Sequence, residues 1–254
     1  MTQIAERRHF DKQWLAQHLA DERREADLLG EIREAIFGAQ DGVTSILIVV
    51  ITVATATTNS YAVLIAGIAA ATAEIISMAA GEYMSSKSQR ELFLAQIEGE
   101  REEVRDRPGE SEAEVAYLLE REGLSEASAK RIAAEMAREP DVLLKTMVEK
   151  ELGITVDAGP GALQGAIVLA LTFAVASLVP LGPFFFFPVH IAVFIAIGMS
   201  AVVMFALGVV KSRFTKANPI VSGLEIVALV AGASAGGFIV GTLLPRALGF
   251  AAGA

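Results

Sequence analysis

The stretch that decides the fold is residues 36–56, IFGAQDGVTSILIVVITVATA. Its 21 residues contain a single charged side chain, Asp41. About 20 predominantly apolar residues are enough for an α-helix to cross a bilayer, and a helix satisfies all of its backbone polar groups internally. The stretch therefore predicts a transmembrane helix and an integral membrane protein.

Four further apolar runs have the same character. They cover residues 61–84, 161–179, 189–210 and 221–244. Together with the first run they predict an all-α fold with five transmembrane helices and a helical insert between the second and third, and no alternating β pattern occurs. The hydrophobic fraction of 53% agrees with this, and the absence of cysteine excludes disulfides, thiolate zinc sites and iron–sulfur clusters.

Composition divides the chain into four segments. An N-terminal helix (1–34) precedes transmembrane helices 1 and 2 (35–85), a polar insert (86–158) and transmembrane helices 3 to 5 (159–254). The insert holds 18 of the 30 acidic residues, which argues against nucleic acid as a partner and favours a cation. The N-terminal helix has an apolar face that suits either a membrane surface or a neighbouring helix, formed by Phe10, Trp14, Leu15, His18 and Leu19.

Lysine and arginine near the ends of the spans predict the orientation. Arg33, Lys87, Lys211 and their basic neighbours fall on one side, whereas the two loops on the other side contain no basic residue. We therefore expect the N-terminus and the insert to be cytoplasmic and the C-terminus to lie outside.

The insert is predicted to be a small helical bundle. The helix that leaves the second span is broken at Pro108-Gly109, and the next is expected to begin in a capping box at Ser111. Ser125 is expected to cap a third helix, and Pro140 to open a fourth. The expected core consists of Val115, Leu118, Leu119, Leu124, Ile132, Met136, Leu143 and Leu144.

Potential metal ligands recur on these helices at spacings of three or four residues. The pairs that share a helix face are Glu100 with Glu103, Glu110 with Glu114, and Met147 with Glu151. Like charges held together cost free energy unless a cation lies between them. Oxygen ligands suit Mg²⁺, Ca²⁺, Mn²⁺ and Fe²⁺, and a thioether shifts the preference towards softer ions. A glutamate-rich helix is also typical of a solvated surface, so the pattern leaves both interpretations open.

Acidic residues within the spans suggest a pathway. Glu74, Met78 and Glu82 recur every four residues and form a stripe about 12 Å long on the second span. Asp41 is expected at about the depth of Glu82. An ionisable group inside a bilayer is costly and tends to mark a functional path, although Asp41 and Glu82 could instead reach the interface by snorkelling.

Motifs typical of enzymes are absent from the sequence. No GxSxG, HExxH, P-loop or GxGxxG occurs, so we predict neither an enzyme nor a prosthetic group. A membrane-bound, ferritin-like iron-oxidising protein would need Glu-x-x-His pairs, and no histidine lies between Lys87 and Asp157. A metal-sensing or regulatory membrane protein is a further alternative.

Three motifs resemble the vacuolar iron transporter family. They are Arg33–Gly42 (REAIFGAQDG), Ile76–Glu91 (ISMAAGEYMSSKSQRE) and Glu149–Gly153 (EKELG), with weaker likenesses at 180–183 and 206–211. The likeness covers about residues 31–246. The second motif is similar to bacterial members, which implies a bacterial inner membrane. The resemblance also implies an antiporter that moves Fe²⁺, and in many members Mn²⁺, out of the cytoplasm in exchange for protons.

The resemblance further implies a homodimer with a path between the paired first spans and a metal-binding insert. Asp41 and Met78 would line the path, and Glu74 and Glu82 complete the expected set. The implied ligands in the insert are Glu100, Glu103, Glu114, Met147 and Glu151. Ser111 stands where the family usually has another glutamate, so Glu110 or Glu112 would replace it. The family's acid in the second span usually falls at the position of Ala70, one turn before Glu74.

Overall fold

A computed structural model describes residues 12–153 and 161–247. In these ranges every regular element is helical, which confirms the all-α prediction. The helices are α1 (Lys12–Ala54), α2 (Ser60–Asp106), α3 (Pro108–Arg121), α4 (Glu126–Met136), α5 (Pro140–Lys150), α6 (Ala162–Leu181), a 3-10 helix (Gly182–Phe185), α7 (Val189–Thr215) and α8 (Pro219–Ala247).

Five of these helices, α1, α2, α6, α7 and α8, are long and apolar enough to cross a membrane. This finding confirms the predicted number and order of spans. The first span is not a separate helix, because α1 runs without a break from Lys12 to Ala54. Of the apolar face predicted near the N-terminus, Phe10 lies outside the described residues, and Trp14, Leu15 and Leu19 are exposed.

The chain forms two compact units, one comprising Met1–Tyr83 with Pro160–Ala254 and the other Met84–Gly159. We call them the membrane unit and the insert unit. In the membrane unit α1 packs against α6, α7 and α8. The buried residues of α1 that face this packing are Val43, Ile46, Leu47 and Val50.

Glycines allow the neighbours of α1 to approach its backbone. A Cβ at Gly42 would lie 2.6 Å from the carbonyl oxygen of Phe173 on α6, and a Cβ at Gly237 would lie 2.9 Å from that of Ile48 on α1. The hydroxyl of Thr52 donates a hydrogen bond of 3.1 Å to the Gly237 carbonyl. These close contacts hold α1 against α6 and α8, and one of them lies at Gly42, next to Asp41 in the chain.

The insert unit has a small core made from the last turns of α2 together with α3, α4 and α5. Of the predicted core residues, Val115, Leu119, Leu143 and Leu144 are buried, but Leu124 is 39% exposed. Small or unpredicted residues complete the core, namely Val104, Ala116, Ala129, Ala133, Met147 and Val148.

The helix starts in the insert unit agree only in part with the prediction. The cap at Ser125 is confirmed, since its hydroxyl accepts the Ser128 N–H at 3.3 Å. The prediction that α3 begins in a capping box at Ser111 is wrong. The helix α3 already begins at Pro108, whose fixed φ suits the first helical position, and Ser111 is fully buried within it.

Candidate functional site

Three carboxylates meet where α2 ends and α3 begins. One oxygen each of Glu103, Glu110 and Glu114 lies within 4.8 Å of the others. The break before Pro108 ends one helix and starts the next, so the last turn of α2 and the first turns of α3 can share a site. Glu103 and Glu114 are half-buried and Glu110 is exposed.

Two further glutamates extend this group. Burial raises the pKa of Glu100, which lies in the polar part of α2, and the charges of Glu151 and Glu103 raise it further. Burial, followed by the charges of Glu103 and Glu151, raises the pKa of Glu114 to about 6. We call these five residues the acidic cluster. A cation bound there would favour the ionised form of each carboxylate over the protonated form.

One basic side chain, Arg107, contacts the acidic cluster. Its Nη1 lies 2.7 Å from a carboxylate oxygen of Glu110, and its Nη2 lies 3.1 Å from one of Glu103. The backbone of Arg107 holds the junction between α2 and α3, because its carbonyl accepts the N–H groups of Glu110 at 3.0 Å and Ser111 at 3.2 Å. The guanidinium therefore bridges one carboxylate on each side of the helix break.

The structure places other predicted ligands outside the acidic cluster. Met147 is fully buried in the apolar core, one turn before Glu151, whose N–H donates to its carbonyl at 2.8 Å. Glu112 lines a separate groove on α3 and α4 together with Glu120 and Lys130. Of the two glutamates considered as replacements for Ser111, Glu110 is therefore the one beside Glu103 and Glu114.

The four predicted path residues, Asp41, Glu74, Met78 and Glu82, are all half-buried in the membrane unit. The charge of Glu74 on α2 acts on Asp41 of α1. Glu82 instead lies near Arg33 and Gly165. That Asp41 and Glu82 lie at about the same depth in the membrane stays a prediction.

A further acidic residue of the membrane unit, Glu34, was not among the predicted path residues. Its side chain is buried, with 8% exposure for the residue, and its Oε1 accepts hydrogen bonds from Arg33 Nε at 3.1 Å and Nη2 at 2.5 Å. A Cβ at Gly165 would lie 3.8 Å from Glu82 Oε1 and 3.9 Å from Glu34 Cγ. The spacing in the sequence could have indicated it, because Glu34 precedes Asp41 by seven residues, which is about two helical turns and places both on one face of α1.

Both groups of acids present oxygen ligands, which suit hard or borderline divalent cations. Carboxylates must lose their protons to bind a metal, so metal and proton compete for the same oxygens. The chemistry of both groups of acids therefore suits a divalent cation.

Comparison with known proteins gives a consistent match over most of the chain. The family model described as "VIT family" matches residues 32–242. Vacuolar iron transporter 1 of Eucalyptus grandis is 33% identical over 225 residues, covering 87% of this chain and 90% of the relative. Vacuolar iron transporter 1 of Tulipa gesneriana is 31% identical over 208 residues (82% and 84%), and that of Arabidopsis thaliana 30% over 230 residues (90% and 91%). These relatives are plant proteins, so they do not support the expected bacterial assignment.

Proposed function

This chain belongs to the VIT family, and on that premise we propose that it is a transporter that moves divalent metal ions, Fe²⁺ and/or Mn²⁺, out of the cytoplasm. The single observation that carries the proposal is the presence of carboxylates in two places, the acidic cluster of the insert unit and the stripe of acids within the apolar spans. A protein that only stores or senses metal has no need of the second group, which is costly in a bilayer.

In this proposal the acidic cluster collects the metal and the acids of the spans carry it. Glu100, Glu103, Glu110, Glu114 and Glu151 supply the oxygen ligands. Asp41, Glu74, Met78 and Glu82 line the path. Met147 acts as a ligand only if its thioether leaves the apolar core, so we assign it to a later, metal-loaded state.

We also propose that protons move in the opposite direction. The electrostatic interaction between Asp41 and Glu74 supports this, because carboxylates of like charge in an apolar environment favour binding either a cation or protons. Occupation by metal would release the protons, and the departure of metal would allow them to bind again. This exchange makes the chain an antiporter without any prosthetic group.

The expected dimer and orientation remain part of the proposal. In the apolar part of α2, Ile65, Ile68 and Ile76 are exposed, and this face suits either lipid or α2 of a second copy. The N-terminus and the insert unit are assigned to the cytoplasm by the positive-inside rule. The relatives are named vacuolar, which favours transport of the metal into an internal compartment over export across a bacterial cell membrane.

Metal uptake by proteoliposomes with an acidic interior tests the proposed function. We expect the wild-type chain to accumulate Fe²⁺ or Mn²⁺ and Asp41→Ala to abolish this accumulation. Glu225→Gln is the matched control, because Glu225 is another acid within an apolar span but is exposed and lies on α8. Binding of metal without accumulation would instead favour the metal-sensing alternative.

A further inference from the structure

A positive side chain already occupies the place where the proposed metal would bind. The guanidinium of Arg107 contacts Glu103 and Glu110, two of the three carboxylates whose oxygens lie within 4.8 Å of one another. The charge of Glu114, the third, also acts on Arg107. Arg107 is thus an internal counter-ion of the acidic cluster.

Arg107 is well placed to leave this position. Its side chain is 57% exposed, and ion pairs at such exposure are weak and screened by salt. The hydrogen bonds that hold the junction between α2 and α3 come from its backbone. The guanidinium can therefore move into solvent without breaking the helix junction.

The charge of this counter-ion affects which cations can replace it. A monovalent cation that displaces the guanidinium exchanges one positive charge for another, so it gains little electrostatic free energy. A divalent cation brings one additional positive charge to five neighbouring carboxylates. Displacing the guanidinium costs the same free energy for either kind of cation, and only the divalent cation gains enough from the carboxylates to offset that cost, so Arg107 keeps K⁺ and Na⁺ out of the acidic cluster while Fe²⁺ or Mn²⁺ still binds.

We propose that Arg107 is a specificity-determining residue, which offsets part of the negative charge of the acidic cluster when no metal is bound and so lets divalent cations bind there while monovalent cations do not. The inference rests on the proposed function, because it assumes that the acidic cluster is where the metal binds. It adds a displacement step to metal loading, in which the metal takes over the oxygens of Glu103 and Glu110 and Arg107 turns towards solvent.

Mn²⁺ titration of the full-length chain in detergent, by calorimetry, tests this role. Arg107→Gln removes the internal cation, and we expect it to bind Mn²⁺ about tenfold more tightly than wild type when no K⁺ is present. Addition of about 0.1 M K⁺, with a bulky organic cation as its replacement in the reference buffer, keeps the ionic strength constant. We expect K⁺ to weaken Mn²⁺ binding markedly in Arg107→Gln and only slightly in wild type.

Two further variants separate the charge of Arg107 from its structural role. Arg105→Gln removes another exposed arginine two residues away, which pairs with Asp106 outside the acidic cluster, and should behave as wild type. Arg107→Lys keeps the positive charge and should restore discrimination against K⁺. Equal Mn²⁺ affinity and equal K⁺ sensitivity in wild type and Arg107→Gln would overturn the inference.

The same experiment distinguishes failure of this inference from failure of the proposed function. If wild type binds Mn²⁺ and Arg107→Gln shows the expected changes but proteoliposomes accumulate no metal, transport is wrong and the role of Arg107 stands. If metal accumulates but the substitution changes neither affinity nor K⁺ sensitivity, transport stands and the role of Arg107 is wrong. If wild type binds no Mn²⁺ in the insert unit, the inference is overturned as well.

Discussion

Protons should compete with metal at Glu114, and this competition gives a measurable pH dependence. The pKa of Glu114 is raised to about 6, first by burial and then by the charges of Glu103 and Glu151. A metal binds the ionised carboxylate, so binding is strong above this pKa and weakens as the pH falls through it. For one carboxylate with this pKa, the expected loss of affinity between about pH 7 and about pH 5 is about tenfold.

The variant Glu114→Gln removes this titrating group while keeping the size of the side chain. We expect weaker Mn²⁺ binding than wild type at about pH 7, but a much smaller change between about pH 7 and about pH 5. Some pH dependence should remain, because the pKa of Glu100 is also raised. Calorimetric Mn²⁺ titrations of the full-length chain at a series of pH values measure both effects.

The control for this experiment is Glu120→Gln. Glu120 lies on the same helix, α3, but faces the groove that also contains Glu112 and Lys130. Its substitution should leave the pH dependence of wild type intact. The reasoning is refuted if Glu114→Gln retains the full pH dependence of wild type, since the proton that competes with the metal would then belong to another residue.

Three other outcomes follow from the geometry of the insert unit. Glu110→Gln should weaken Mn²⁺ binding about tenfold, whereas Glu112→Gln should change it little, as measured by the same titrations. Without metal, Glu114→Gln should melt at a higher temperature than wild type at about pH 7, because a carboxyl group whose pKa is raised by folding destabilises the folded state when it is ionised. The difference in melting temperature should vanish below about pH 4.5, where Glu114 is protonated in both the folded and the unfolded state. Leu143→Ala should destabilise the insert unit by about 2–5 kcal/mol, since Leu143 is 1% exposed, and should speed trypsin cleavage there.

The spans could be predicted from the sequence because a bilayer imposes a simple requirement. Length and apolar composition are sufficient to identify all five, including the first, whose apolar run starts at Ile36. The unbroken continuation of α1 back to Lys12 was not predicted, because the residues before Ile36 are polar and composition alone suggested a boundary.

The residue at which α3 begins could not be predicted, and it decides which glutamate side chain lies in the acidic cluster. Both Pro108 and Ser111 are acceptable near a helix start. The choice between them depends on which side chains the packing of the insert unit buries, and the local sequence does not give this. Because the helix starts at Pro108, Ser111 is buried and Glu110 meets Glu103 and Glu114. Glu34 was missed for a similar reason, since its burial depends on packing within the membrane unit that local composition does not reveal.

The most direct test of the account is Fe²⁺ accumulation in proteoliposomes with an acidic interior, measured for wild type and Asp41→Ala together with Mn²⁺ binding by each protein. We expect both proteins to bind Mn²⁺, because the acidic cluster does not include Asp41. Only wild type should accumulate Fe²⁺, and dissipating the pH gradient should abolish that accumulation. Equal accumulation by the two proteins, or none by wild type, would contradict the account.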